Sequence, residues 1–143
     1  MNLYAESSAI AAWMLHEPTG RLVIEALLAV ENVFASELTL IECDRVLIRA
    51  LHRGELSEGD AENRAARLAG IAQHWHLLRL DGEIIERARR PFPAEPIRTL
   101  DALHLASALV ARRGGSDLAV LSLDQRVRRN AKLLGLAIQP EAI

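Results

Sequence analysis

The chain has 143 residues, half of them apolar and a quarter charged, with 17 basic and 19 acidic side chains and a formal net charge of −2. That length suits one compact domain with a buried core, and the composition excludes a disordered tail. The charge balance argues weakly against a general nucleic-acid binder, and no apolar run approaches the roughly 20 residues that cross a bilayer.

Residues 2–5 read as a short strand, and a helical run over 9–15 follows, with Ser7 and Ser8 as its capping residues. Pro18, Thr19 and Gly20 break that helix, and Leu22, Val23, Ala26, Leu27 and Val30 recur at helical spacing to make a second one, ended by Asn32. Residues 33–35 form a second strand, after which Ser36 caps a long helix over 37–52 that Gly54 closes. Cys43 lies inside this helix; as the only cysteine it excludes an internal disulfide and a thiolate zinc cage, and it reads as a small buried apolar residue. Ser57, with Asp60 three residues on, starts a fourth helix that runs to 74, and residues 77–80 make a third strand before Gly82 opens the next helix. Pro91, Pro93 and Pro96 mark a loop. The helix over 98–113 follows, ended by Gly114 and Gly115; then come a strand at 118–121, a helix over 124–134 and a short strand at 137–139.

Short strands separated by helices need crossover connections. The expectation is a single domain over 1–143 of the α/β class, with three α/β/α layers around a mostly parallel sheet of four to five short strands. Ligands in such folds gather at the carboxyl ends of the strands. The N-terminus lacks the charged start and cleavage site of a secretory signal, so the chain reads as cytoplasmic.

Glu6 and Asp124 each follow a predicted strand, where that edge lies, although Asp124 equally suits the N-cap of the last helix and Glu6 the positive start of its own. Asp101 sits on a helix with leucines at 100, 103, 105 and 109 and alanines at 102, 106, 108 and 111. A carboxylate buried there needs a partner, either an arginine such as Arg98 or a bound cation. Glu42 projects beside Val46 and Arg49, and periodicity leaves open a surface acid paired with Arg45 or Arg49. His104 reads as a hydrogen-bonded core residue, and His74 with His76 lacks the further ligands of a zinc set. The chain has no Gly-rich phosphate loop, no Gly-x-Ser-x-Gly elbow and no His-Glu-x-x-His helix, so carboxylates are the remaining chemistry.

The opening Leu3-Tyr4-Ala5-Glu6-Ser7-Ser8-Ala9-Ile10 resembles the start of a PIN domain, with Glu6 in the place of the first acid. Ser36-Glu37-Leu38-Thr39-Leu40-Ile41-Glu42, Arg98-Thr99-Leu100-Asp101-Ala102-Leu103-His104-Leu105-Ala106 and Val120-Leu121-Ser122-Leu123-Asp124 match the segments of the second, third and fourth acids, in the family's order. The Asp101 segment is the most specific and looks like the VapC toxins of bacterial toxin–antitoxin pairs.

That resemblance implies a metal-dependent endoribonuclease with Glu6, Glu42, Asp101 and Asp124 as its catalytic acids. Glu6, Asp101 and Asp124 would hold one or two Mg2+ or Mn2+ ions, and Glu42 would complete the cluster directly or through a water. It also implies hydrolysis of RNA phosphodiester bonds, a homodimer, and a VapB-like antitoxin whose tail fills the active-site groove. Ser7 is either a hydrogen-bond partner within that site or a helix cap. The arginines gathered at Arg87/Arg89/Arg90, Arg112/Arg113 and Arg126/Arg128/Arg129 are candidates to track the RNA backbone. The family's first acid is usually aspartate, and Glu6 carries one methylene more. Two alternatives stand beside this reading: a catalytically impaired binding module of the same fold, and a nuclease that processes RNA or DNA outside a toxin role.

Overall fold

The structure, a computed structural model, describes residues 1–114 and 117–143. Its elements are β1 (Asn2–Ala5), α1 (Ser7–Met14), α2 (Gly20–Leu28), β2 (Asn32–Ser36), α3 (Glu37–His52), α4 (Glu58–Ala72), β3 (His76–Leu78), α5 (Gly82–Ala88), α6 (Thr99–Arg112), β4 (Leu118–Leu121), α7 (Gln125–Leu133) and β5 (Ala137–Gln139). The strands form one sheet in the order β3-β2-β1-β4-β5, with every pairing parallel. The expected α/β class and parallel sheet are what the chain adopts.

Strand alternation explains the three layers. Leu3, Ala5, Ala119 and Leu121 face one cluster with Ile10 and Met14 of α1, Val23 and Leu27 of α2, Cys43 and Leu47 of α3 and Leu68 of α4. Tyr4, Leu118 and Val120 face the other, with Ile84 of α5, Leu105 and Ala108 of α6 and Val127 of α7. Each face thus buries its own helices, and among the described residues no helix is long and apolar enough to cross a membrane.

The order of the strands fixes where a ligand can sit. The chain runs from β1 outward through β2 to β3, then crosses to the opposite side of β1 to lay down β4 and β5. Connections therefore leave β1 and β4 in opposite directions, and a crevice opens beyond their carboxyl ends. Glu6 and Asp124 follow those two strands.

Several local expectations shift. Helix α1 starts at Ser7 with Glu6 in the N-cap position and no side chain capping it, so Ser7 and Ser8 are not its caps. Their hydroxyls are drawn instead to carboxylates. Asn32 opens β2 rather than ending a helix, because its amide finds the Asn2 side-chain oxygen across the ladder at 3.2 Å. The third strand is three residues long, starting one position earlier and ending two earlier than its apolar run suggests. Gly54 does close α3: at φ 73° its N–H reaches the Leu51 carbonyl at 3.1 Å, and Glu55 N–H reaches that of Ala50 at 2.9 Å. The expectation that Gly115 joins Gly114 in ending α6 falls outside the described residues.

Candidate active site

Glu6 extends the β1–β4 ladder by one bond, its N–H donating to the Leu121 carbonyl at 3.0 Å. Its side chain is 5 % exposed, and three serine hydroxyls are turned toward it. Ser122 donates to Oε2 at 2.7 Å, Ser8 donates to the same oxygen, and Ser7 lies 3.3 Å from Oε1. Two of these serines also fix the turn after β4: Ser8 accepts the Leu123 N–H at 2.9 Å, and Ser122 accepts that of Asp124 at 3.1 Å. The carbonyl of Ser122 is held from behind by the buried Arg128, at 2.9 Å.

Glu42 reaches the same place from α3. Ser36 caps that helix through the Leu38 N–H at 3.0 Å, and the buried Thr39 donates to the Ala5 carbonyl at 3.0 Å. The turn carrying Glu42, three residues later on the same face, is thereby pinned to the end of β1. Glu42 Oε1 accepts from Ser7 at 2.6 Å and from His104 Nε2 at 2.5 Å. A carboxylate only accepts, so Nε2 carries a proton, and a neutral ring leaves Nδ1 to accept from the Tyr4 hydroxyl at 2.8 Å. A buried relay thus runs from Tyr4 through His104 to Glu42.

Burial works to raise the Glu42 pKa, but the hydrogen bonds from His104 and Ser7, with the positive charge of Arg98 nearby, outweigh it and hold this carboxyl below its usual range. Burial also pushes the Tyr4 phenol far above its usual value, and the charges of Glu6 and Glu42 add to that, so Tyr4 stays a donor throughout the neutral range. For a carboxyl lowered in the folded chain, the stabilisation is complete above the unfolded value and lost as pH falls through the folded one. Glu42→Gln is therefore expected to cost about 1 kcal/mol at neutral pH and to flatten the fall in stability between roughly pH 5 and 3. Urea midpoints measured across that range would check it; an unchanged acid limb would contradict the lowered pKa.

Asp101 lies in the first turn of α6, 4 % exposed, and its Oδ2 accepts the Arg98 backbone N–H at 3.1 Å. Asp124 is the N-cap of α7, its Oδ1 accepting from the N–H groups of Arg126 at 2.8 Å and Val127 at 3.4 Å. Both local alternatives for these acids hold: Asp101 has Arg98 as its partner, and Asp124 caps its helix. One guanidinium serves both, with Arg98 Nε 3.5 Å from Asp101 Oδ2 and Nη2 3.3 Å from Asp124 Oδ2.

All four acids line a single crevice of about 530 Å³, with Ser7, Ser8, His104, Arg45, Arg49 and Arg98 among its other walls. It lies between β1 and β4, where the strand order reverses.

A PIN-domain family model matches residues 3–133 of the chain. The chain belongs to the PIN-domain family. Its sequence is 35 % identical over 137 residues to Ribonuclease VapC46 of Mycobacterium tuberculosis, covering 95 % of each chain, which places this PIN domain with the VapC type. Among solved structures, FitAcB from Neisseria gonorrhoeae superposes with a TM-score of 0.71 at 17 % identity, covering 95 % of both chains. VapC20 of Mycobacterium tuberculosis, a sarcin-ricin loop cleaving toxin, does so at 0.63 and 13 %, covering 89 % of this chain and 93 % of that one. VapBC2 from Rickettsia felis, bound to a DNA fragment from its promoter, gives 0.63 at 12 % over 97 % and 98 %.

The crevice of this PIN domain offers only hard oxygen donors among its acids, the ligand chemistry that Mg2+ and Mn2+ prefer. Asp101 and Asp124 fit a cation, since one cationic group already lies within reach of both. Glu6 and Glu42 line the same crevice but are engaged by serines and by His104. Among the described residues, no three His, Cys, Asp or Glu side chains converge as a ligand set for a metal ion. The three residues expected as ligands are gathered in one crevice, therefore, without being brought onto one point.

Sequence reasoning missed Ser122 and the reach of Arg98 to Asp124, and it understated His104. That histidine is the hydrogen-bonded core residue expected, but its second nitrogen also faces a site acid. Glu42 is not the Arg45/Arg49-paired surface acid that helical spacing allows; its partners arrive from β1–α1 and α6.

Proposed function

We propose that this PIN domain is a VapC-type ribonuclease that hydrolyses RNA phosphodiester bonds with a divalent cation, Mg2+ or Mn2+, held at the crevice and that it acts in the cytoplasm. The observation carrying the reading is the gathering of Glu6, Glu42, Asp101 and Asp124 around one crevice at the point where the strand order reverses. The likeness to Ribonuclease VapC46 supports the choice of RNA.

Asp101 and Asp124 would hold the cation through Oδ atoms that face it, with Glu6 and Glu42 next around it as the remaining catalytic acids. Once bound, the cation supplies Lewis-acid chemistry, making water more acidic and offsetting the charge that develops on the phosphate. The residues do the positioning. Serines 8 and 122 fix the Glu6 carboxylate and, by accepting backbone N–H groups, the turn that presents Asp124. Glu42, kept ionised at neutral pH by His104 and Ser7, acts as a fixed negative charge rather than a store for protons. Arg45 and Arg49 on the α3 wall supply cations for the RNA backbone.

A VapB-like antitoxin belongs to the same proposal. Ile41 and Leu100 line the crevice yet are 55 % and 44 % exposed, an apolar rim suited to a partner segment. The solved neighbours FitAB and VapBC2 are bound to DNA fragments, in keeping with paired systems of this kind. The active unit is taken to be a homodimer.

The test is to incubate the purified chain, free of any partner, with tRNA and structured RNA in Mg2+ or Mn2+ and in EDTA. Cleavage leaving 5′-phosphates in metal and none in EDTA is the expected result. Cutting that survives EDTA overturns the metal reading. Intact RNA under every metal would favour the binding module, a reading to which the separate engagement of Glu6 and Glu42 already lends weight.

A further inference from the structure

We infer that Arg98 is an exchangeable counter-ion of the site: its guanidinium holds Asp101 and Asp124 while no divalent cation is bound, yields both carboxylates to the cation, and then serves the RNA phosphate. The inference rests on the proposed cation site at that aspartate pair.

The geometry suits exchange. The guanidinium lies 3.5 Å from Asp101 and 3.3 Å from Asp124, long for charge-assisted bonds, and its side chain is 67 % exposed. Ion pairs of that kind hold weakly. Neither aspartate depends on it for its structural work: Asp101 keeps the Arg98 backbone N–H, and Asp124 keeps the two N–H groups of α7 through its other oxygen. A divalent ion can therefore take the guanidinium's place without disturbing either helix start. Two carboxylates with 6 % and 22 % side-chain exposure repel each other when no positive charge lies between them, so some cation belongs there in both states.

The displaced side chain cannot go far. Arg98 is the N-cap of α6, and the proline-rich loop before it is clamped to α7 by Asn130, which accepts from Ala94 N–H at 2.8 Å and donates to its carbonyl at 3.0 Å. The guanidinium consequently stays at the mouth of the crevice, where the phosphate to be cut must lie, and its planar fork matches phosphate oxygens.

Removing the charge should then move two quantities in opposite directions. In Arg98→Met, Mn2+ binding to the full chain without RNA, read from the electron paramagnetic resonance of free Mn2+, is expected to tighten roughly three- to thirty-fold. Cleavage of a tRNA substrate at saturating Mn2+ is expected to weaken, chiefly as a KM raised about tenfold, from loss of a phosphate contact. Asp101→Asn, titrated beside it, should lose most Mn2+ binding. Unchanged Mn2+ affinity in Arg98→Met, with binding lost in Asp101→Asn, overturns the exchange while leaving the cation site intact. Tighter Mn2+ with an unchanged KM overturns the phosphate role. No Mn2+ binding in wild type, or binding that Asp101→Asn leaves untouched, overturns the cation site on which the inference rests.

Discussion

Asp101→Asn is expected to lower RNA cleavage more than about 100-fold while the domain still folds. The size follows from the residue's place: outer partners of a metal site cost 10- to 100-fold when removed, and Asp101 is proposed as a direct ligand. The tolerance follows from its other work. Its Oδ2 accepts the Arg98 N–H at 3.1 Å, a bond that an asparagine oxygen can also accept at the start of α6. Asn loses only the charge that faces Arg98 and the cation. Single-turnover cleavage in Mg2+, with a urea midpoint measured on the same preparation, separates the two effects. Retention of more than a tenth of the wild-type rate would sink the placement of Asp101 at the centre of the chemistry.

That residue was legible in the sequence for a physical reason. A helix with leucines and alanines on nearly every side leaves no solvated face, so an acid on it has to be explained by a partner. The strand-end acids were legible through topology, because alternating strands and helices force a parallel sheet whose carboxyl edge collects ligands. Periodicity reports faces, however, and not partners. Glu42 lies near the polar side of α3 by spacing alone, and only the Thr39 bond to Ala5 shows that this side meets the sheet. Arg98 and Asp124 stand 26 residues apart and are joined because α6 packs back along the sheet before β4 returns to the same edge, a contact between a helix start and a strand end that no local pattern records. Ser122 carried no signal at all, since a lone hydroxyl after a strand reads as a turn residue. Glu6 carries one methylene more than the aspartate usual at that place, and in the fold its carboxylate lies among hydroxyls from both sides of the β1–β4 seam.

The relay from Tyr4 to Glu42 carries the second large expectation, this time on stability. His104→Leu keeps an apolar residue of similar bulk in a buried position, yet it should cost about 2–4 kcal/mol. Two groups lose their partner at once: the Tyr4 hydroxyl, bonded to Nδ1 at 2.8 Å, and the Glu42 carboxylate, bonded to Nε2 at 2.5 Å. Glu42 is part-exposed and recovers some of its loss from water. Tyr4 is fully buried, and the hydroxyls beside it donate elsewhere, Thr39 to the Ala5 carbonyl at 3.0 Å and Ser107 to that of Leu103 at 2.7 Å, so only their remaining lone pairs are left to replace Nδ1 as its acceptor. Deleting a hydroxyl that has lost its best acceptor should therefore restore stability, because two apolar surfaces pack where a buried donor is left with a weaker bond. On the His104→Leu background, Tyr4→Phe is expected to be neutral or to regain about 1 kcal/mol, whereas in the wild type it should cost about 1 kcal/mol. That change of sign is what urea unfolding of the four proteins in the cycle would measure. Simple additivity within roughly 0.5 kcal/mol would mean that the tyrosine finds another acceptor and that the relay is three side chains in contact rather than one coupled unit.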